Sequence, residues 1–348
     1  MYDLSQVIVH PDMHVIDAMA VINENGKCIA FICENNRLLA TVTDGDIRRH
    51  ILSKGDLNVP VSNVGNYQFK FAKLEHDVEY LEKLRKKQRL TCIPILDDDG
   101  RLVDVYFPYE CEKKQKHCLD IPVVIMAGGK GTRLAPFTDV LPKPLIPIGD
   151  MTITEHIMNR FYNCGCNDFT MIVNYKKELI KAYFSEVLYK GNLLFVDEDE
   201  FQGTGGGLKL LEGVFESTFI MTNCDVIVDI DYNELLKHHR NSGAVITLVC
   251  AFMKVRVPYG TIELDEKGSP IKLVEKPEYP LLTNTGLYVI EPSFLEEIPS
   301  NAFVHITELI QQLIDDGKSV GVYPITENQW SDMGSIEEME KMRNWISS

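Results

Sequence analysis

Three glycines, two cations and a threonine follow one another in Gly128-Gly129-Lys130-Gly131-Thr132-Arg133, directly after the apolar run Val-Val-Ile-Met-Ala at 123–127. That run reads as a buried parallel strand. Glycine after a strand lets backbone N–H groups approach a phosphate with no Cβ in the way. Ten residues past Arg133 stands Lys143, between Pro142 and Pro144. Proline fixes φ and stiffens the chain, so this lysine is presented from a rigid arm. A glycine nest with two placed cations is the chemistry of a polyphosphate clamp. Two common phosphate loops do not fit it. A P-loop ends in Gly-Lys-Ser/Thr, whereas here the lysine precedes the last glycine. The dinucleotide fingerprint needs a glycine where this chain has Leu134.

The string from Gly128 through Thr138, followed by Pro142-Lys143-Pro144, resembles the signature G-G-x-G-T-R-L-x-P-x-T and P-K-P of the sugar-1-phosphate nucleotidyltransferases. The resemblance implies that Ala127, Gly128, Gly129, Gly131 and Thr132 bind the nucleotide. It gives Arg133 the leaving phosphates and Lys143 the α-phosphate, the two catalytic cations. Gln202-Gly203-Thr204-Gly205-Gly206-Gly207 is similar to the family's turn against the nucleobase, with Thr204 and Gly205 as contacts. The same stretch also reads as a glycine-rich helix entry, and Gln202 stands where the family often has Leu. A predicted strand ends in Asn223-Cys224-Asp225, and Trp330-Ser331-Asp332-Met333-Gly334-Ser335 resembles the family's W-x-D-x-G-T/S. By resemblance Asn223 faces the nucleotide, and Asp225 and Asp332 hold Mg2+. That ion takes oxygen ligands and keeps several waters, so two carboxylates suffice. Read alone, Asp332 is a turn or N-cap residue before the last helix. Gly260, Glu275-Lys276-Pro277 and Asn284-Thr285-Gly286 look like the sugar-phosphate half, with Gly260, Glu275, Lys276, Asn284 and Thr285 as its binding residues.

The implied reaction is attack of a sugar 1-phosphate oxygen on the α-phosphorus of a nucleoside triphosphate, with pyrophosphate leaving. The substrate is its own nucleophile, so no activated Ser, Cys or His is required. Similarity to the CBS-fused glucosamine-1-phosphate guanylyltransferases of bacterial legionaminic acid synthesis favours GTP and glucosamine 1-phosphate. Glucose-1-phosphate thymidylyl- or uridylyltransferase and mannose-1-phosphate guanylyltransferase chemistry are the alternatives. A non-enzymatic alternative is a nucleotide-sensing regulatory subunit with a dead transferase domain. Such a subunit should have lost Arg133, Lys143 or an aspartate, and all are present.

These residues need a frame. From 121 onward strand and helix patterns alternate, which predicts an α/β, Rossmann-like, mainly parallel mixed sheet with covering helices. Helices are expected at 152–163, 177–187, 306–315 and 335–346, and strands at 169–173, 193–197, 218–222 and 320–323. Ligands in such sheets sit beyond the carboxyl ends of the strands. The first third is a duplicated α+β module. A helix at 13–22, strands at 28–33 and 38–43 and a helix at 44–52 recur, 64 residues later, as a helix at 77–88 and strands at 91–96 and 102–107. Cys28 falls on Cys92, Arg37 on Arg101 and Leu38 on Leu102. The pair resembles tandem CBS domains, which implies an adenine nucleotide held at Thr43 and Asp46. Thr43 and Asp46 read equally as an N-cap. The second copy has Phe107 and Glu110 there, and Phe107 cannot hydrogen-bond. The expected boundaries are 1–116 for the module, 117–121 for a linker and 122–348 for the transferase domain.

The net charge is −16, with −2 in residues 1–118 and −14 in the rest. So acidic a body is a poor nucleic-acid binder, and local cations must oppose its field if it takes nucleotides. No apolar run is long enough to span a bilayer. The N-terminal sequence lacks a signal-peptide pattern, so a cytoplasmic protein is expected. The nine cysteines contain no C-x-x-C pair and read as reduced, buried thiols. His156, His238, His239 and His305 have no partner pattern and are expected at the surface or at helix ends. The family resemblance also implies a homo-oligomer.

Overall fold

The computed structural model describes residues 3–53, 55–88, 90–107, 119–187 and 191–347. The chain divides into two compact units, Met1–Gln115 and Lys116–Ser348.

In the first unit β1 (Ile8–Val9), α1 (Val15–Glu24), β2 (Ile29–Glu34), β3 (Arg37–Thr43) and α2 (Asp44–Leu52) are followed by β4 (Ala72–Lys73), α3 (Val78–Gln88), β5 (Ile93–Leu96) and β6 (Leu102–Tyr106). The duplication extends to register. Ile8 faces Phe31 and Ala72 faces Ile95, the same pair 64 residues on. The copies are joined reciprocally. Leu38 N–H donates to Gly100 O at 3.1 Å, and Leu102 N–H donates to Asn36 O at 3.0 Å. Leu38, Cys92, Leu102 and Phe31 share one core. Phe107 is half-buried against it, with Lys27 Nζ 5.4 Å from its ring centre. Glu110, the other second-copy position, lies outside the described residues.

The second unit is built on a seven-stranded sheet in the order β11-β10-β7-β12-β17-β14-β18. Its elements are β7 (Val123–Ala127), α4 (Phe137–Val140), β8 (Pro147–Ile148), β9 (Met151–Thr152), α5 (Ile153–Asn163), β10 (Asp168–Val173), α6 (Lys177–Glu186), β11 (Asn192–Asp197), α7 (Gly203–Gly206), β12 (Phe219–Asn223), β13 (Val226–Val228), α8 (Tyr232–Ser242), β14 (Ile246–Arg256), β15 (Thr261–Leu264), β16 (Pro270–Val274), β17 (Glu278–Ile290), α9 (Ser293–Glu296), α10 (Ile306–Asp315), β18 (Val320–Thr326), β19 (Trp330–Asp332) and α11 (Ile336–Ser347). Only β17 runs against its neighbours β12 and β14; every other pairing in the sheet is parallel. Strand β7 explains the uninterrupted apolar run. Val123, Ile125 and Ala127 enter one core, and Val124 and Met126 enter the core on the opposite face. A strand covered on both sides has no polar face to show.

The chain leaves β7 for β10 and β11 on one side, then returns to β12 on the other. Strand order therefore reverses at β7, and a crevice opens beyond the carboxyl ends there. The expected linker boundary needs correcting. Leu119 and Ile121, assigned to the 117–121 linker, are buried in the core of the second unit, and Leu119 N–H donates to Cys164 O at 3.0 Å. Residues 117 and 118 lie outside the described residues. His239 stands in the last turn of α8, the helix-end alternative, but it is buried: it is 1% exposed, with Nδ1 2.7 Å from Thr247 Oγ1 and Nε2 3.0 Å from Glu291 Oε1. An imidazole satisfied at both nitrogens can be buried, and here it ties α8 to β14. None of the described cysteines forms a disulfide. Cys33, Cys92, Cys166, Cys224 and Cys250 are buried as expected, but Cys28 is exposed.

Candidate active site

The glycine loop leaves β7 at Ala127, which is buried. A side chain at Gly128 would strike Glu198 Oε2 at 2.6 Å, whereas the space over Gly129 is open. Gly131 adopts φ +65°, in the left-handed region that favours glycine. It packs against Lys143, whose Cβ would lie 3.1 Å from a Cβ added there. Thr132 and Arg133 start a short 3-10 turn, Thr132–Leu134. The connection to Lys143 is anchored from outside the loop. Lys176 Nζ donates to Asp139 O at 2.6 Å and to Val140 O at 2.9 Å, and Thr138 Oγ1 donates to Gly131 O at 3.0 Å.

Lys143 is 8% exposed and its Nζ donates to Asp225 Oδ2 in a buried ion pair. Asp225 follows β12, and Asp332 ends β19, which pairs with β13 so that Asp332 faces Val226. Met333 N–H donates to Asp225 O at 2.9 Å. Residues 107 positions apart in sequence are thus locked side by side by backbone hydrogen bonds. Asp332 Oδ1 is buried without a hydrogen-bond partner among the described residues. Burial, then the neighbouring Asp225 charge, pushes the Asp332 carboxyl up to about 6, against the opposing pull of Lys143 and Arg133. Arg133 makes no ion pair among the described residues, and its Nη1 lies 3.2 Å from where a Cβ on Gly334 would stand, beside Asp332. Two carboxylates, one paired with a lysine and the other with an orphaned buried oxygen, form a donor set that suits a hard divalent cation completed by waters and substrate oxygens. Among the described residues no third His, Cys, Asp or Glu joins them.

The other expected residues divide. Asn223 stands at the end of β12, and its Nδ2 approaches Gly286, where a Cβ would lie only 2.5 Å away. Asn284, Thr285 and Gly286 lie within β17, beside the end of β12 and at the irregularity of its pairing with β14. Thr285 is 2% exposed and its Oγ1 donates to Val249 O at 2.8 Å, while Asn284 Nδ2 donates to the Tyr288 hydroxyl at 2.6 Å. Thr285 ties β17 to β14 across that irregularity. Glu275 and Lys276 are exposed between β16 and β17, and Glu275 Oε2 would meet a Cβ on Gly260 at 2.9 Å. The structure joins Gly260 to Glu275 and links neither, by hydrogen bond or ion pair among the described residues, to the carboxylate pair.

Thr204 and Gly205 carry a structural task. Thr204 Oγ1 accepts from Ile306 N–H at 3.2 Å. Gly205 and Gly206 N–H donate to Val304 O at 3.0 and 3.1 Å. A Cβ at Gly203 would strike Val304 O at 2.5 Å, and one at Gly206 would strike Ala302 O at 2.5 Å. The glycines make room for residues 302–306.

Glu198 takes the position that sequence reasoning did not find. It lies just past β11 and is 2% exposed. Its Oε1 accepts from Gln202 N–H at 2.7 Å, and Oε2 accepts no hydrogen bond among the described residues. Burial pushes its carboxyl up, and the Gln202 N–H pulls it back. Asn174, just past β10, fixes this corner by donating to Glu198 O at 2.7 Å. Glu198 sits in the acidic run Asp197–Glu200, where no pattern marks one carboxylate as buried. In the first unit Asp46 completes a capping box with Thr43: its Oδ2 accepts from Thr43 N–H at 2.8 Å and from Thr43 Oγ1 at 2.6 Å. Oδ1 is paired with Arg49.

The sequence profile of the Nucleotidyl transferase family matches residues 122–347. The chain belongs to that family. Ahead of the matched region it carries a CBS domain, whose profile matches residues 4–53, the first of the two copies. It is 30% identical over 238 residues to UTP–glucose-1-phosphate uridylyltransferase of Synechocystis sp., covering 62% of this chain and 60% of that one. It is 30% identical over 223 residues to mannose-1-phosphate guanylyltransferase of Mycobacterium tuberculosis, covering 63% and 62%. The chain thus spans about 60% of the length of these relatives. HddC from Yersinia pseudotuberculosis has the same transferase fold, with a TM-score of 0.52 at 23% identity over 65% of this chain and 99% of that one.

Proposed function

We propose that the chain transfers a nucleoside monophosphate from a triphosphate, GTP, to a sugar 1-phosphate, with glucosamine 1-phosphate as the preferred acceptor and Mg2+ as cofactor. The observation that carries the reading is the convergence of Lys143, Arg133, Asp225 and Asp332 beside an open glycine loop. An oxygen of the sugar phosphate attacks the α-phosphorus, the bond to the β-phosphate bridging oxygen breaks, and pyrophosphate leaves with both electrons of that bond. Two polyanions must meet, so positioning and charge stabilisation carry the catalysis. Lys143 moves its ammonium from Asp225 to the α-phosphate. Arg133, exposed and without an ion pair among the described residues, takes the charge building on the leaving phosphates. Backbone N–H groups at Gly128–Gly131 hold the phosphate chain. Asp225 and Asp332 would hold Mg2+, which when bound polarises the phosphate oxygens and offsets their repulsion.

Glu198 supports guanine over the other bases. Guanine presents two adjacent donors, N1–H and the N2 amino group, and an ionised carboxylate is acceptor-only with about four lone-pair sites. Uracil and thymine present a single donor between two acceptors, so a carboxylate repels their flanking oxygens. The guanylyltransferase name of the mycobacterial relative agrees with this reading, and the uridylyltransferase name of the other states its competitor. The N-terminal module is proposed as a regulatory site for an adenine nucleotide at Thr43 and Asp46. A ribose there has to displace the capping contacts of Asp46.

The test is a panel of the four triphosphates against glucosamine, glucose and mannose 1-phosphates, followed by pyrophosphate release. Turnover with GTP and glucosamine 1-phosphate above all other pairs is expected. Higher turnover with UTP or dTTP overturns the base assignment, and silence with every pair overturns the reaction.

A further inference from the structure

Phe201 and Phe303 are large aromatics left in water at the rim of the crevice, 42% and 62% exposed. Single exposed apolar residues are ordinary. These two are not single. Their ring centres are 6.0 Å apart at an interplanar angle of 68°, and Phe303 continues edge-on to His305 at 5.1 Å. They come from segments 102 residues apart, and several contacts bring them together. Val304 N–H donates to Gln202 O at 2.9 Å, next to Phe201. The side-chain-free surface of Gly203, Gly205 and Gly206 seats residues 302–306. The glycine run thus places Phe303 behind Phe201.

Phe201 faces the glycine loop. A Cβ on Gly128 would lie 3.5 Å from Phe201 Cδ2 and 2.6 Å from Glu198 Oε2, so ring and carboxylate border one spot on the loop backbone. Gln202 N–H bonded to Glu198 Oε1 folds residues 198–202 back to put both there. A heterocyclic base has a polar edge and two apolar faces. Glu198 answers the edge and Phe201 answers a face.

We infer that Phe201, backed by Phe303, is the aromatic wall of the nucleobase subsite. The inference rests on the proposed nucleotide site and adds to it the residue that binds the base without reading it. Stacking serves every base because every base has a π-face. Phe201 therefore sets affinity for triphosphates as a class, while Glu198 sets the choice among them.

The experiment is equilibrium binding to the full chain by calorimetry, with GTP, UTP and inorganic tripolyphosphate as probes. Phe201→Ala should weaken GTP and UTP alike, by about 5- to 150-fold, and leave tripolyphosphate affinity unchanged. Phe201→Trp should keep GTP affinity and show indole fluorescence that GTP quenches and tripolyphosphate does not. Phe303→Leu should give a smaller loss of the same pattern. Wild-type GTP affinity in Phe201→Ala, or equal loss for tripolyphosphate, overturns the inference. Failure of the transferase reading is distinguished by wild-type protein that binds GTP and releases no pyrophosphate.

Discussion

Lys143 and Asp225 form a buried ion pair that, on the proposed function, serves both fold and chemistry. Burying an ion pair and then removing one partner leaves an uncompensated charge, at a cost of about 3–5 kcal/mol. Alanine at either position therefore tests stability together with catalysis, and near-isosteric changes separate the two. Asp332 is the neighbouring case. Its folded pKa, about 6, lies above the ordinary carboxylate value. The ionised side chain therefore lowers the stability of the metal-free protein once pH exceeds the unfolded value, and the loss is complete above the folded one. Asp332→Asn is expected to raise the melting temperature in EDTA near neutral pH, with a gain that shrinks as pH falls to about 5. Calorimetric scans at the two pH values check this, and a pH-independent gain contradicts it. For Glu198, a glutamine offers one acceptor and one donor. Glu198→Gln should lower kcat/KM for GTP by about 5- to 150-fold and raise UTP relative to GTP. An unchanged GTP-to-UTP ratio would remove Glu198 from base selection.

Among the elements, the legible ones were those with a strong local signal. Strand β7 was readable because burial on two faces demands an uninterrupted apolar run, and α2 because Thr43 and Asp46 announce its start. The glycine loop, Lys143, Asp225 and Asp332 were named from motif, and the structure places them together. The Gly203–Gly206 turn was legible as special but not in its packing role, because its partner, residues 302–306, is about 100 residues away. Glu198 and His239 were missed for the same reason: burial is a tertiary property, and neither residue's neighbours in sequence reveal it. Gly203 combines φ +80° with a backbone oxygen 2.5 Å from any added Cβ. Gly203→Ala is expected to destabilise by about 1–3 kcal/mol, read as a lower denaturant midpoint, whereas Gly213→Ala, with open space around it, should show only the backbone penalty. Equal effects would deny the docking role. On α2, calorimetry of the full chain with AMP, ADP and ATP should show binding that Asp46→Ala removes. No heat from any of the three would leave Thr43 and Asp46 as a helix cap alone.

At the scale of the whole molecule, the proposed reaction requires a body with net charge −16 to gather two polyanions. On the proposed reaction the crevice answers with Arg133 and Lys143 on one stiff loop and with a carboxylate pair suited to a divalent cation, so local charge would be set against the global field. The architecture serves that one point: the strand order reverses at β7, and loops after β7, β10, β11 and β12 supply the glycines, Asn174, Glu198 and Asp225. Control by the duplicated module would require its ligand to bind two states of the chain with different affinity. The most direct measurement is pyrophosphate release from GTP, glucosamine 1-phosphate and Mg2+ by Asp225→Asn and by Lys143→Met, each with its melting temperature recorded. The predicted result is a loss of about two to three orders of magnitude in kcat in variants that remain folded. Folded variants that release pyrophosphate at the wild-type rate would contradict the account.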